Sequence, residues 1–357
     1  MLRLLPRRSN DVSYFTNDGA HELDGLRDGG PGWWPRGSGD TRDPREVARV
    51  LETSERARVC GYDVIVAAPR PISILLALDP EHASGVLDAH RVSVRSAIEY
   101  LEDRALVVRD RRSGGDDESP ARWRRVVSFT HGLNRHGEPH LHDHVLVGAR
   151  PEGQRTVLDS RALYAHAATA DALYRASLRH ELAERTPWSA WRSFEGVERV
   201  VGLDEGYRAL WSGHHRDRGE KLTWDRAATV AAWERDAQRF VPLGVLDAPR
   251  IRDVLDEHGF AGALEGRHDV ARRHVLEAWA NAARFGQNAR EITSAVDQLY
   301  PALQGRGGVH ERSIGLGEAR MTGRVRELGP RPLERGDLDQ WRQRSRDAGR
   351  SREGRSR

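Results

Sequence analysis

The sequence predicts an α+β fold: an antiparallel β-sheet with flanking helices, followed by a helical lobe. Three observations predict it. Residues 122–131 and 140–149 both alternate in strand fashion and are joined by the turn-forming "GLNRHGEP", the pattern of an antiparallel hairpin. Segments 80–105 and 161–185 place apolar residues at helical spacing on either side of that hairpin. Beyond about residue 203 the pattern is helical at 223–239, 247–258, 266–285 and 288–303, and it fades after "GRGGVHERS". The chain therefore divides into a sheet-bearing domain over 1–202, a helical lobe over 203–305 and a basic tail over 306–357 that is too polar to build a core.

The elements follow in order. The N-terminal strand is weakly patterned. Residues 18–44 are rich in Gly, Asp, Arg and Pro and read as a long loop tied down by Trp33 and Trp34. "GYDVIVAAP" (61–69) begins as a strand with Asp63, Ile65 and Ala67 on one face and Tyr62, Val64 and Val66 on the other. Pro69 and Pro71 end it, and a helix starts at about Ile72. In 80–105, Leu87, His90, Val94, Ile98 and Leu101 share a helix face. "LVVRD" (106–110) reads as a strand, 111–121 as a solvated loop, "TVLDS" (156–160) as a short strand ending in a helix cap, and 161–185 as one helix. "WSAWRSF" (188–194) reads as a further strand.

Composition narrows the function classes. The longest apolar run, "ISILLAL" (72–78), is far too short to span a bilayer, and the start "MLRLLPRRSN" has no signal-peptide pattern. Cys60 is the lone cysteine, which fits a reducing cytoplasm. Net charge is +3, but residues 320–357 carry twelve Arg against six acidic residues. A basic tail suits a polyanion, yet arginine replaces lysine throughout, with Lys221 the one exception; nucleic-acid contact and a merely solvated segment both remain open. There is no G-x-x-x-x-G-K-[ST] phosphate loop and no internal repeat.

The segment "HGLNRHGEPHLHDHVLVG" (131–148) holds five of the 16 histidines. On a strand, histidines at i and i+2 share a face about 6.6 Å apart, close enough to lean onto one ion. A third at i+4 lies about 13 Å from the first. His140, His142 and His144 should therefore not all bind one ion; two of them, plus His131 from the paired strand, would suit one. Three neutral imidazoles leave coordination positions for water or substrate, which is a catalytic arrangement. Spacing alone leaves the pairs 140/142 and 142/144 equal.

Several blocks in this order resemble a known family. "GYDVIVAAPRPISILLAL" (61–78), "SFTHGLNRHGEPHLHDHVLVG" (128–148) and "LDSRALYAHAATADALYRASLRHEL" (158–182) are similar to blocks of the conjugative relaxases of the TrwC/TraI (MOB-F) type, members of the HUH endonucleases. The likeness covers about residues 10–240. It implies a palm-like sheet and metal ligands at His131, His142 and His144, with His140 outside the set. It also implies a nucleophilic tyrosine at Tyr14 in "DVSYFTND", and an orienting acid at Asp63 that helps activate it. The ion would be Mg²⁺, Mn²⁺ or Zn²⁺. The implied reaction is site- and strand-specific nicking and rejoining of DNA through a 5′-phosphotyrosyl intermediate. The substrate would be single-stranded DNA at a transfer origin, and the helical lobe would fold over it. A separate helicase and a coupling protein would be partners.

The residue types suit that chemistry. A phenol of pKa near 10 needs its phenolate stabilised to attack, and a bound cation offsets the charge of the phosphodiester. Arg70, Ser73 and Arg161 are candidate phosphate contacts. Trp33 and Trp34 are weaker candidates for base stacking, and His214 and His215 read as solvated. The sequence departs from the family where Phe15 follows Tyr14, with no other tyrosine before Tyr62; where Asp143 lies between the ligand histidines; and where "APRPIS" replaces A-P-K-S-x-S. Three other readings stay open: a relaxase that binds single strands without cutting, a rolling-circle replication initiator, and a small-molecule metalloenzyme of cupin type. The order of Tyr before His argues against the initiator, and the lack of a Glu soon after the H-x-H argues against the cupin.

Overall fold

A computed structural model of the chain describes residues 1–16, 32–33, 43–51, 58–110, 117–134, 136–154, 156–193, 195–203, 206–207, 211, 226–238, 255–265, 267 and 270–304. It contains two compact units. The first comprises Met1–Leu87, Ala97–Asp171 and Glu205–Val241; the second comprises Asp88–Ser96, Ala172–Asp204 and Pro242–Arg357.

The first unit is built on β1 (Leu2–Arg7), β2 (Gly32–Trp33), β3 (Gly61–Ala67), β6 (Val126–Leu133) and β7 (Pro139–Gly148), in the order β1-β3-β7-β6-β2, each pair antiparallel. β7 is central and almost wholly buried, which its "LHDHVLVG" composition anticipates for only one face. On one face Val64, Val66 and Val145 form a fully enclosed apolar row. Helix α3 (Arg70–Leu78) packs on β7, where Ser73 Oγ accepts the Leu141 N–H at 3.0 Å.

The other face is covered by short elements: α1 (Ser13–Thr16), α2 (Pro44–Ala48) and a 3₁₀ turn, Arg49–Leu51. Their Val12, Phe15, Val47, Val50 and Leu51 form one buried cluster with Val127, Phe129 and Leu146 of the sheet. Two cross-strand partners, Gly61 and Gly148, make this possible. A Cβ on Gly61 would lie 2.5 Å from the Leu51 side chain, and one on Gly148 would lie 2.5 Å from the Val50 carbonyl. Only glycine lets the turn rest on the sheet there.

Several sequence expectations are corrected. The helix over 161–185 is two: α5 (Ser160–Ala165), capped by Asp159, and α6 (Ala167–Arg185), with a break at His166. The expected strand over 156–160 is irregular apart from that cap, because Leu158 and Asp159 hydrogen-bond to Ala149 and Val107 outside any ladder. The loop over 111–121 contains β5 (Asp117–Pro120), which pairs with β4 (Val107–Asp110). Helix α4 is observed at Ala83–Ala105, and α3 begins two residues before Ile72, with Pro71 in its first turn where a missing N–H costs nothing. His214, His215, Trp34 and the tail 306–357 lie outside the described residues. Of Trp33 only the backbone is described, paired with Val127.

The remaining elements are β8 (Ala190–Arg192), β9 (Glu198–Val200), α7 (Arg226–Ala237), α8 (Glu257–Leu264), α9 (Arg272–Ala282) and α10 (Ala289–Gln304). In the second unit a buried guanidinium organises the packing. Arg179, 2 % exposed, meets Glu198 at 2.8 Å and donates to the carbonyls of Ala280 and Ala283. Burial lowers its pKa, and the Glu198 carboxylate opposes that shift. Removing the carboxylate leaves a charge with no counter-ion in a dry interior. Glu198→Ala is expected to destabilise the fold by about 3–5 kcal/mol, read as a lowered midpoint in chemical denaturation.

Candidate metal centre and tyrosine site

The antiparallel register sets the site. His131 on β6 is paired directly with His142 on β7, and Phe129 with His144. Because residues two apart share a face, His131, His142 and His144 lie on the face that also carries Asp63. The three ring centroids are mutually 5.2, 5.0 and 5.1 Å apart. One ligand nitrogen from each falls within 4.8 Å of the others, and all three residues are buried. Two imidazoles have their tautomer set by an oxygen acceptor. His142 Nδ1 donates to the His140 carbonyl at 2.7 Å, and His144 Nδ1 lies 2.9 and 3.0 Å from the two Asp63 oxygens. A carbonyl only accepts, so His142 keeps its proton on Nδ1 and leaves Nε2 as the electron-pair donor.

His140 is next to this group but not in it. Its ring stacks obliquely on His142, 4.7 Å away. Burial, reinforced by the Arg70 charge, pushes its pKa down to about 4. Burial, with the neighbouring imidazoles adding to it, also drives His142 well below the usual range.

Tyr14 lies on the one-turn helix α1. A single turn is not stable by itself, so its position comes from packing. Asp11 Oδ1 accepts the Ser13 N–H at 2.9 Å, while Val12 and Phe15 are buried beneath it. Phe15 stacks on Phe129 at 5.3 Å and meets the edge of His144 at the same distance. This leaves Tyr14 40 % exposed, its ring 5.9 Å from His131 and 5.6 Å from His144. Tyr62, the next tyrosine in sequence, is buried on the opposite face of the sheet, near Tyr164.

The hairpin turn below the histidines is held by side-chain hydrogen bonds. Asn134 Oδ1 accepts the N–H groups of His136 and Glu138, and Asn134 Nδ2 donates to Glu138 at 2.6 Å. Trp233 of α7 donates its indole N–H to the Gly137 carbonyl at 2.8 Å. Asn and Gly in "GLNRHGEP" were legible as turn formers; the grip of Asn134 on Glu138 was not. Arg70 belongs to the same construction, bonding the Pro139 carbonyl at 3.1 Å and lying 3.5 Å from Glu138.

Among the expected phosphate contacts, Ser73 is 1 % exposed, and its hydroxyl accepts the Leu141 N–H. Arg161 is exposed on α5, and no described contact links it to the histidines.

The family model for the TrwC relaxase matches residues 18–240, more than half of the chain. No curated protein sequence matches it. Among solved structures it is similar to the conjugative relaxase TrwC in complex with oriT DNA in a metal-bound form, with 18 % identity, 67 % of this chain and 98 % of that chain covered, and a TM-score of 0.54. A copper-bound form of that complex matches at 20 % identity with the same coverage and TM-score. So does TrwC complexed with a 27-mer DNA comprising the recognition hairpin and the cleavage site, at 17 %. At such identities these structures bear on the fold, and they share its sheet and flanking helices. The match of the family model over the segment that carries the three histidines and Asp63 shows that this chain belongs to the TrwC relaxase family of DNA-nicking enzymes.

Proposed function

We propose that the chain nicks and rejoins one DNA strand at a transfer origin through a covalent tyrosyl intermediate, using a divalent ion held by His131, His142 and His144. The observation that carries this reading is the exposed Tyr14 ring beside two of the three clustered imidazoles. The residues suit such an ion: three nitrogens converge, and two of the rings have their other nitrogen engaged on oxygen. When bound, the cation would supply charge neutralisation for an anionic phosphodiester and its transition state.

The chain's own residues would do the rest. Tyr14 Oη forms a bond to phosphorus as the P–O3′ bond breaks, leaving a 5′-phosphotyrosine and a 3′-oxygen that takes up a proton; the phenolic proton is lost to solvent. The reverse reaction rejoins the ends. Val12 and Phe15 hold Tyr14 in place, and Asp63 positions His144. Residues 203–305 would close over the bound strand, and Arg70 and Arg161 would contact phosphates. The enzyme would act in the cytoplasm, with a separate helicase and a coupling protein.

With oligonucleotides from the transfer origin of its own element and Mn²⁺ or Mg²⁺, wild type is expected to form a covalent adduct and Tyr14→Phe none, while single-strand affinity stays within about twofold because one oxygen is lost and the charges remain. Peptide mapping by mass spectrometry locates the adduct. Wild type without adduct on any cognate strand favours the non-cleaving reading instead.

In calorimetry, His142→Ala is expected to abolish metal binding and His140→Ala to retain most of it. Equal losses would mean that the ligand pair is 140/142.

The depressed histidine pKa values carry a sign. The folded state keeps His140 and His142 neutral where the unfolded chain protonates them near 6.5. Their contribution to stability is therefore complete above pH ~6.5 and is lost as pH falls towards 4. The denaturation midpoint of metal-free protein should fall between pH 7 and pH 5, and less steeply in His140→Gln.

A further inference from the structure

We propose that a second phosphate-binding site lies at the far end of β7, in an arginine-lined cleft that takes the DNA backbone at a distance from the cutting site. The cleft has a volume of about 470 Å³ and is lined by Arg49, Arg124, Arg125 and Arg150, with Gly148 and Gly153 at its wall. Gly148 has the same strand parity as His142 and His144, so the cleft opens by the histidine-bearing face. The buried cluster of Val12, Phe15, Val50 and Leu51 rests on that face as well. Along β7 the separation from His142 to Gly148 is about 20 Å, the length of about six phosphates in a stacked strand.

The charges are not balanced within the cleft. Glu46 is its only described counter-ion, 2.6 Å from Arg49 and 3.8 Å from Arg125. Among the described residues Arg124 and Arg150 make no ion pair. Arg125 Nη1 and Arg150 Nε are enclosed and have no hydrogen-bond partner there. Enclosed guanidinium donors left unmade are costly, and their planar fork matches the paired oxygens of a phosphodiester. A polyanion crossing the cleft would offset the positive charge that Glu46 leaves uncompensated. The choice of DNA backbone as that polyanion rests on the relaxase reading above.

The test is fluorescence anisotropy with two labelled single strands from the element's own transfer origin, one of about 8 nucleotides around the cut and one of about 25, over a salt series. Arg124→Gln/Arg150→Gln is expected to bind the long strand about tenfold more weakly and to reduce its salt slope by about 1.4, two contacts at 0.7 each. The short strand should be unaffected, as should metal binding by calorimetry. Arg124→Lys/Arg150→Lys should keep the slope, because the charges remain. If the double Gln variant folds poorly by its thermal midpoint, Arg124→Gln alone, an exposed change, should give half the slope effect. An unchanged long-strand slope, equal losses on both strands, or no binding of the long strand by wild type overturns the proposal. Adduct formation is scored separately: its absence in wild type defeats the nicking reading, while the length and salt comparison still decides the cleft.

Discussion

The site depends on the register of β6 on β7. His131 opposite His142 puts two imidazoles on adjacent strands of one face, and His144 follows two residues on. A slip of one residue would send His131 to the opposite face, among the valines under α3 and α5, and would break the cluster. That register is itself fixed from both sides. On the apolar face Val145 is fully enclosed, and at the turn Asn134, Glu138, Arg70 and Trp233 tie the hairpin end at a single length. The shift in pairing between His131 and Leu133 absorbs the mismatch between strand and turn. The polar chemistry is thus held by ordinary packing and by the hydrogen bonds of Asn134, Arg70 and Trp233 at the turn.

The histidine cluster was legible in sequence because strand periodicity is two, a rule that holds whatever the fold. The choice between His140 and His144 was not legible, since both stand two residues from His142. What separates them is Asp63, whose carboxylate engages His144 from a third strand, whereas His140 turns its ring against His142. Sequence periodicity has no information about that third strand. Resemblance to a family supplied it, and the contact gives the physical reason. The same limit explains two of the local differences. β5 needs β4 to exist, and its "DESP" has no strand propensity of its own; the break at His166 comes where Tyr100 bonds the His166 ring at 2.7 Å, a contact from another helix. The arginine cleft was invisible for a like reason, as its residues come from positions 49, 124, 125 and 150.

Phe15 shows how a departure from a family pattern becomes intelligible through packing. Where the family resemblance implies a second tyrosine, this chain has a phenyl ring that is 5 % exposed, stacked on Phe129 and edged against His144. A hydroxyl there would need a partner in an apolar cluster of valines and leucines, or the ring would have to turn out to solvent and forfeit the contacts that hold α1. The residue that secures the tyrosine is therefore unable to duplicate it.

This arrangement fixes the position of one tyrosine, Tyr14. A four-residue helix has too few internal hydrogen bonds to keep a side chain in one place, and Tyr14 itself contributes little burial. Its position is maintained by the neighbours on either side: Val12 carries the turn's acceptor, bonding the N–H groups of Phe15 and Thr16, and Phe15 carries its apolar contact. The same cluster continues to Val50 and Leu51, which reach the sheet only because Gly61 and Gly148 leave room. A change at either glycine would be felt first at the 3₁₀ turn and then, through the shared cluster, at the tyrosine. The placement of one exposed phenol beside the imidazoles is in this sense a property of the whole covering layer, and the glycine of the GYD block belongs to it as much as the aspartate does.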